Sequence, residues 1–177
     1  MDIQVPEPLR VVSEPLRVLF LDFDGVLNNH QTKQRYRKDG QPGGATIGFD
    51  PRNVAVLNQF LESARVKIVV TSSWRWNHTL EELRAVLRAA GVRGEVIDAT
   101  STRSPGSRGR EIQAWLDQHG PVEAFVIIDD SADMDHLLPK LARTSMETGM
   151  REKHVPLAFK ILSEPIPNFP EALVIKP

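Results

Sequence analysis

Cysteine is absent from the 177 residues. That excludes a disulfide framework, a thiolate zinc site and a cysteine nucleophile. An excess of charge of one sign is lacking too. Lys and Arg number 22 against 23 Asp and Glu, a formal net charge of −1. So even a balance gives no global reason to bind nucleic acid or an anionic membrane. The apolar runs are strand-length, far short of the ~20 residues that span a bilayer. The leading MDIQVPEPLRVVSEPLR has acids and prolines where a secretion signal needs an apolar stretch, so no signal peptide, no membrane partner and a cytoplasmic location are expected. Repeats reduce to EPLRV at 7–11 and again at 14–18, which is no solenoid. His30, His78, His119, His136 and His154 show no metal-binding spacing and read as surface or structural residues.

What is present is ordinary globular composition, 41% hydrophobic and 25% charged. The length suits one domain over 1–177 that buries roughly two-thirds of its unfolded surface. The proline-containing 1–16 reads as a leader, 17–163 as the core and the Pro-rich 164–177 as an extended tail. Inside the core, elements alternate. RVLFLDFD at 17–24 is an apolar strand ending in acids, and Asp50-Pro51 is an N-cap followed by proline at the first helical position. VKIVVTSS at 66–73 is a second strand ending in hydroxyls. Thr79–Glu82 is a capping box for a helix that stops at Gly91. A weaker strand follows at 95–99, then a helix over 110–119 ending at Gly120 and the strand AFVIIDD at 124–130. Short helices are expected at 133–141 and 155–162. Apolar strands alternating with helices predict an α/β fold with a mostly parallel sheet.

In such sheets the ligand site lies beyond the carboxyl ends of the strands. Asp22 and Asp24, Thr71, Ser72 and Ser73, and Asp129 and Asp130 all fall there. Carboxylates crowded on one rim repel and raise one another's pKa unless a cation joins them. An all-oxygen donor set suits Mg2+. One carboxylate can attack phosphorus, a second can pass protons, hydroxyls can hold phosphate oxygens and a cation can balance the charge. Gly25 lets the chain turn away sharply.

LDFDGVL at 21–27, VVTSSWR at 69–75, SRGREIQAWL at 107–116 and VIIDDSAD at 126–133, in that order, resemble the four motifs of haloacid dehalogenase (HAD) superfamily phosphohydrolases. More narrowly, DGVLN, SSWR, GREIxxWL and IDD resemble the HAD domain associated with Swiss-army-knife RNA repair proteins. The resemblance implies a Rossmann-like three-layer sandwich and a magnesium-dependent phosphatase working through an aspartyl-phosphate. It makes Asp22 the nucleophile and Asp24 the general acid/base, with Thr71 and Arg110 also catalytic. Gly25, Ser72, Ser73, Arg75 and Arg108 become substrate contacts. Asp22, Asp24 through its carbonyl, Asp129 and Asp130 become the magnesium site, with Asp133 in support. The usual third-motif lysine is missing, since no lysine lies between 68 and 139. Spacing alone leaves the choice of cationic clamp between Arg108 and Arg110 open.

Residues 28–50 are too few for a helical cap domain, so an essentially capless site with a flap is expected. Lys33, Arg35, Arg37 and Lys38 around Tyr36 form a basic stretch on that flap. It reads either as solvated loop or as a cationic lip for a phosphate-rich substrate, Tyr36 stacking on a base. Trp74 and Arg75 read either as a lid over the site or as rim packing, and Trp115 as core. The expected substrate is a polynucleotide end or another large phosphoester. The alternatives are a nucleotide or sugar phosphate, and a binding module without turnover.

Overall fold

A computed structural model of the chain describes residues 15–38, 48–102 and 106–166, the side chains at 36–38 excepted. Most of the leader, the last eleven residues of the tail, and the side chains of Tyr36, Arg37 and Lys38 lie outside the described residues. Five parallel strands form one sheet: β1 (Leu16–Leu21), β2 (Lys67–Val70), β3 (Val96–Ala99), β4 (Val122–Asp129) and β5 (Leu141–Arg143). Their spatial order is β3-β2-β1-β4-β5. The helices are α1 (His30–Lys38), α2 (Pro51–Ala64), α3 (Leu80–Ala89), α4 (Arg108–Gln118) and α5 (His154–Ser163), with short 3₁₀ helices at Ser73–Trp76 and Asp135–Lys140.

Strand alternation sorts the core into two layers. Leu19 and Leu21 of β1, with Val126 and Ile128 of β4, face α2, α3 and α5. Val18 and Phe20, with Phe125 and Ile127, face Ile112 and Trp115 of α4. The α/β three-layer architecture expected from the sequence is the one found, and the sheet is parallel throughout. Trp115 is core, edge-on to Phe20 at 5.4 Å.

Local signals behave as the residues require. Asp50 caps α2 by accepting from Arg52 N, with Pro51 behind it. Thr79 and Glu82 close a full capping box on α3. Two expectations need correction. The helix expected over 133–141 is a 3₁₀ helix that ends at Lys140, because Leu141–Arg143 leaves it to pair with Ile127–Asp129 as the edge strand. α4 begins at Arg108, not Arg110, because Ser107 is its N-cap, its side chain accepting from Arg110 N.

The chain runs outward from β1 to β2 to β3, then reverses through α4 to β4. β1 and β4 therefore flank the point where strand order reverses, the crevice in which open α/β sheets bind ligands. Asp22 follows β1 and Asp129 ends β4.

Candidate active site

The Asp22 amide donates to Ile128 O at 3.1 Å, so Asp22 continues the ladder one residue past β1. Beyond it the backbone tightens into a turn, with the Val26 and Leu27 amides donating to Phe23 O. Gly25 sits at φ +74°, and a Cβ there would lie 2.5 Å from the Asp130 carboxyl. Glycine is needed both for the left-handed backbone and for that approach. The Gly25 amide donates to Asn28 Oδ1 and its carbonyl accepts from Thr144 Oγ1. Both main-chain polar groups of Gly25, a residue expected as a substrate contact, are thus hydrogen-bonded within the protein.

This turn separates the two motif carboxylates, which a continued strand would have held on one face. Asp22 points into the sheet crevice. Its carboxylate and those of Asp129 and Asp130 each place an oxygen within 4.8 Å of the others. Asp24 turns toward α1 instead. Its Oδ1 accepts from Asn28 Nδ2 at 2.9 Å and pairs with Lys33 Nζ at 3.0 Å, while Oδ2 accepts from Trp74 Nε1 at 3.0 Å. Burial pushes the Asp24 carboxyl up, but the bonds from Asn28 and Lys33, the Lys33 charge and the Trp74 indole outweigh it and hold it below the usual carboxylate range. The Asp24 carboxylate is not part of the acidic cluster, so its expected part in a metal site rests on its carbonyl alone.

Asp22 and Asp129 behave oppositely. Desolvation, then the neighbouring Asp129 charge, pushes Asp22 well above the ordinary value, and Arg108 offsets this only in part. Asp129 is also raised, chiefly by burial, against Arg108 and the Ser131 amide. Two buried carboxylates that resist ionisation side by side are what a cation would relieve. Asp129 Oδ2 is also buried without a hydrogen-bond donor. An all-oxygen set with a buried carboxylate oxygen that accepts no hydrogen bond fits magnesium. Among the described residues the histidines take no part in this cluster. His30 pairs with Glu147, His78 stacks on Trp74 and His119 on Trp115.

Arg108 is the cation at the cluster. Its Nη2 lies 3.7 Å from Asp22 Oδ1 and its Nε 3.4 Å from Asp129 Oδ2. Arg110 does not reach it. Arg110 is exposed and its Nε lies 3.8 Å from Asp135 Oδ2. The expectation that Arg110 is the clamp is corrected on physical grounds. Residues two apart on an α-helix are rotated by roughly 200°, so only one of the pair can face the crevice. The signal was in the sequence. Arg108 stands at i, i+3, i+4 and i+7 with Glu111, Ile112 and Trp115, the buried face of α4.

Thr71 follows β2, and its amide donates to Leu21 O. Its Oγ1 is buried without a hydrogen-bond partner, as is Nη1 of Arg108. Both are thus donors without an acceptor in the protein. Ser72 is buried, its Oγ capping the following 3₁₀ helix at 3.5 Å from Trp74 N, and Ser73 is exposed at the rim.

Arg75, expected as a substrate contact, lines a cleft beside Arg108 and is itself held by protein groups. It is buried beneath the loop and donates to the carbonyls of Thr71, Ser72 and Thr100, and to the Glu111 carboxylate. It ties the Thr71–Ser72 loop to the helix that carries Arg108. Burial lowers Arg75 and raises Glu111 from their ordinary values, each partly held back by the other's charge. Glu111→Gln should therefore cost about 1.5–3 kcal/mol, the worth of a hydrogen bond to a charged group. Urea unfolding of the two proteins checks this, and equal midpoints would remove the strut.

Sequence reasoning missed Asn28, Glu111 and Thr144, and it did not foresee that Lys33 and Trp74 grip Asp24. Asn28 and Lys33 carried a weak signal, lying four and nine residues beyond Asp24 in one compact turn. Thr144 carried none, because β5 was not foreseen.

A sequence profile for the HAD domain in Swiss Army Knife RNA repair proteins matches residues 18–155. The chain belongs to that family. Two solved structures of the HAD domain of the effector protein Lem4 from Legionella pneumophila share the fold. One is an inactive mutant, at 13% identity and TM-score 0.51, covering 84% of this chain and 95% of that one. The other aligns at 14% identity and TM-score 0.51, covering 84% and 96%. No curated protein sequence matches. Among the described residues this HAD domain has no helix long and apolar enough to cross a membrane.

Proposed function

We propose that this HAD domain is a magnesium-dependent phosphomonoesterase that acts through an aspartyl-phosphate on Asp22. The observation that carries this reading is the placement of the Asp22 carboxylate, buried beside Asp129 and bridged by Arg108, with Thr71 paired to the preceding Leu21 and its hydroxyl unsatisfied. Magnesium held by Asp22, Asp129, Asp130 and the Asp24 carbonyl would neutralise charge on the phosphoryl group. Arg108 Nη1 and Thr71 Oγ1 bind its oxygens and orient phosphorus toward Asp22. A carboxylate oxygen of Asp22 bonds to phosphorus as the bond to the leaving oxygen breaks, and that oxygen takes a proton from Asp24. Water then attacks the acyl phosphate, gives its proton back to Asp24 and frees phosphate and Asp22. Asp24 as it stands is ionised and suited to the second half. A bound phosphate competes for Lys33, which removes one bond and one charge that keep Asp24 deprotonated.

The substrate is proposed to be a nucleic-acid end or another large phosphoester. Support comes from the family's described association with RNA repair proteins and from α1, which brings Lys33 to Asp24 at the rim. The reading as a binding module without turnover is less supported, because Asp22, Asp24, Thr71 and a cation are all present. Turnover of a terminally phosphorylated RNA, a nucleoside monophosphate, a sugar phosphate and an aryl phosphate, with magnesium or chelator, tests the proposal. Loss of no activity on chelation would remove the metal, and a sugar phosphate as best substrate would remove the nucleic acid.

A second test needs no substrate. Asp22 is raised in the fold from an ordinary 3.8 to about 7, so the folded, metal-free chain holds a proton that the unfolded chain has released. That contribution is fully present below about pH 4 and is lost as pH climbs through about 7. Magnesium binds the ionised carboxylates, so the Tm increment it gives should grow across the same window. Thermal melts from pH 5 to 8, in chelator and in magnesium, check this. A pH-independent increment, or none, counts against the site.

A further inference from the structure

The chain has three tryptophans. Trp74 donates to Asp24 and packs against Phe23, Phe49 and His78. Trp115 is buried, stacks on His119 and donates to Asp98. Trp76 has no such role. Among the described residues no ring or hydrogen-bond acceptor engages it, and at 61% exposure it is the most exposed large apolar side chain.

Its location is what matters. Trp76 ends the 3₁₀ helix that begins directly after Thr71 and Ser72. It lines a cleft of about 190 Å³ together with Ser73, Arg108, Ser131 and Asp133. Arg108 is shared between this cleft and the Asp22–Asp129 cluster, so the two adjoin at its side chain. It is smaller than the ~300 Å³ at which whole-ligand pockets begin, so it suits one ring system on a longer substrate. An exposed indole offers a stacking face, and the remaining walls are hydroxyl, carboxylate and guanidinium. That combination suits a heterocycle with hydrogen-bonding edges better than a hydrocarbon ring.

We propose that Trp76 and the cleft beside Arg108 form a subsite for a nucleobase on the leaving-group side, so that the preferred phosphoester is that of a nucleoside. This rests on the phosphatase reading above and names its substrate class. The base stacks on Trp76, while Ser73, Ser131 and Asp133 face its polar edge.

The test measures kcat/KM for a nucleoside monophosphate, for ribose 5-phosphate, which lacks the base, and for phenyl phosphate. It compares wild type, Trp76→Ala and Trp76→Phe. The wild type should favour the nucleotide over ribose 5-phosphate, and Trp76→Ala should shrink that preference on the order of ten- to a hundredfold, the worth of one base–aromatic stack. Trp76→Phe should restore most of it. A preference that Trp76→Ala leaves intact overturns the subsite. So does a wild type that favours phenyl phosphate and loses that preference in Trp76→Ala, which would mean a ring recognised without a base. Equilibrium binding of the nucleotide and ribose 5-phosphate to Asp22→Asn, with and without Trp76→Ala, separates the two proposals. If nothing is turned over but the nucleotide still binds tighter through Trp76, the subsite stands and the phosphatase reading falls. Equal affinities in the presence of Trp76 overturn the subsite whatever the turnover.

Discussion

Asp22→Asn should abolish turnover, by a factor on the order of 10⁵–10⁶ as when other covalent nucleophiles are removed. The amide is nearly isosteric but cannot form the acyl phosphate. The same change should not harm the fold. Asp22 is a buried carboxylate pushed up by desolvation and by Asp129. Replacing it with a neutral group removes one member of a repelling pair, so the metal-free variant should melt no lower than wild type at pH 8. The two readouts together separate a lost nucleophile from a lost structure. Asp24→Asn should behave differently. It leaves the nucleophile intact and loses only proton transfer, roughly 10²–10⁴-fold. It also removes the anion that Lys33 and Trp74 hold at the rim. Steady-state rates on an aryl phosphate, with melts of each variant, measure all of this. An Asp22→Asn protein near the wild-type rate would falsify the aspartyl-phosphate mechanism.

The fold and the candidate site were legible to different depths, for physical reasons. Apolar strands with acids or hydroxyls at their ends announced a parallel sheet and named the rim, because strand ends in such sheets converge on one crevice. The capping residues of α2 and α3 were equally readable, since a cap is a local bargain between one side chain and the next turn. What failed was non-local or depended on a helix start. β5 is three residues long and exists because β4 offers it a partner. Arg75 looks like any cationic side chain beside a motif. Only the fold shows that Thr71, Ser72, Thr100 and Glu111 enclose it. The separation of Asp22 from Asp24 depended on the strand ending at Leu21, which the apolar run to Asp24 concealed.

The start of α4 decides the last expected result. Placing the helix at Arg110 leaves the cation ambiguous, whereas starting it at Arg108 sends Arg108 inward and Arg110 to solvent. Gly109 fixes that start. Its amide donates to Asp133 O at 3.0 Å and its Cα packs against the Met134 backbone, so no side chain fits there. Arg108→Ala should therefore lower kcat on the order of 10²–10³-fold, the loss expected when one preorganised donor to a transferring group is deleted. Arg108→Lys should recover only part. It restores a charge, but not a fork that reaches Asp22 and Asp129 together while leaving Nη1 for the substrate. Arg110→Ala loses only a 3.8 Å exposed pair with Asp135, and such surface pairs contribute about 0–1 kcal/mol. Its kcat should stay within about twofold of wild type, the scatter expected of a surface change of ±0.5 kcal/mol. Single-turnover and steady-state rates of the three variants on one aryl phosphate decide the matter. A large loss in Arg110→Ala with Arg108→Ala unaffected would return the clamp to the position that spacing alone could not exclude.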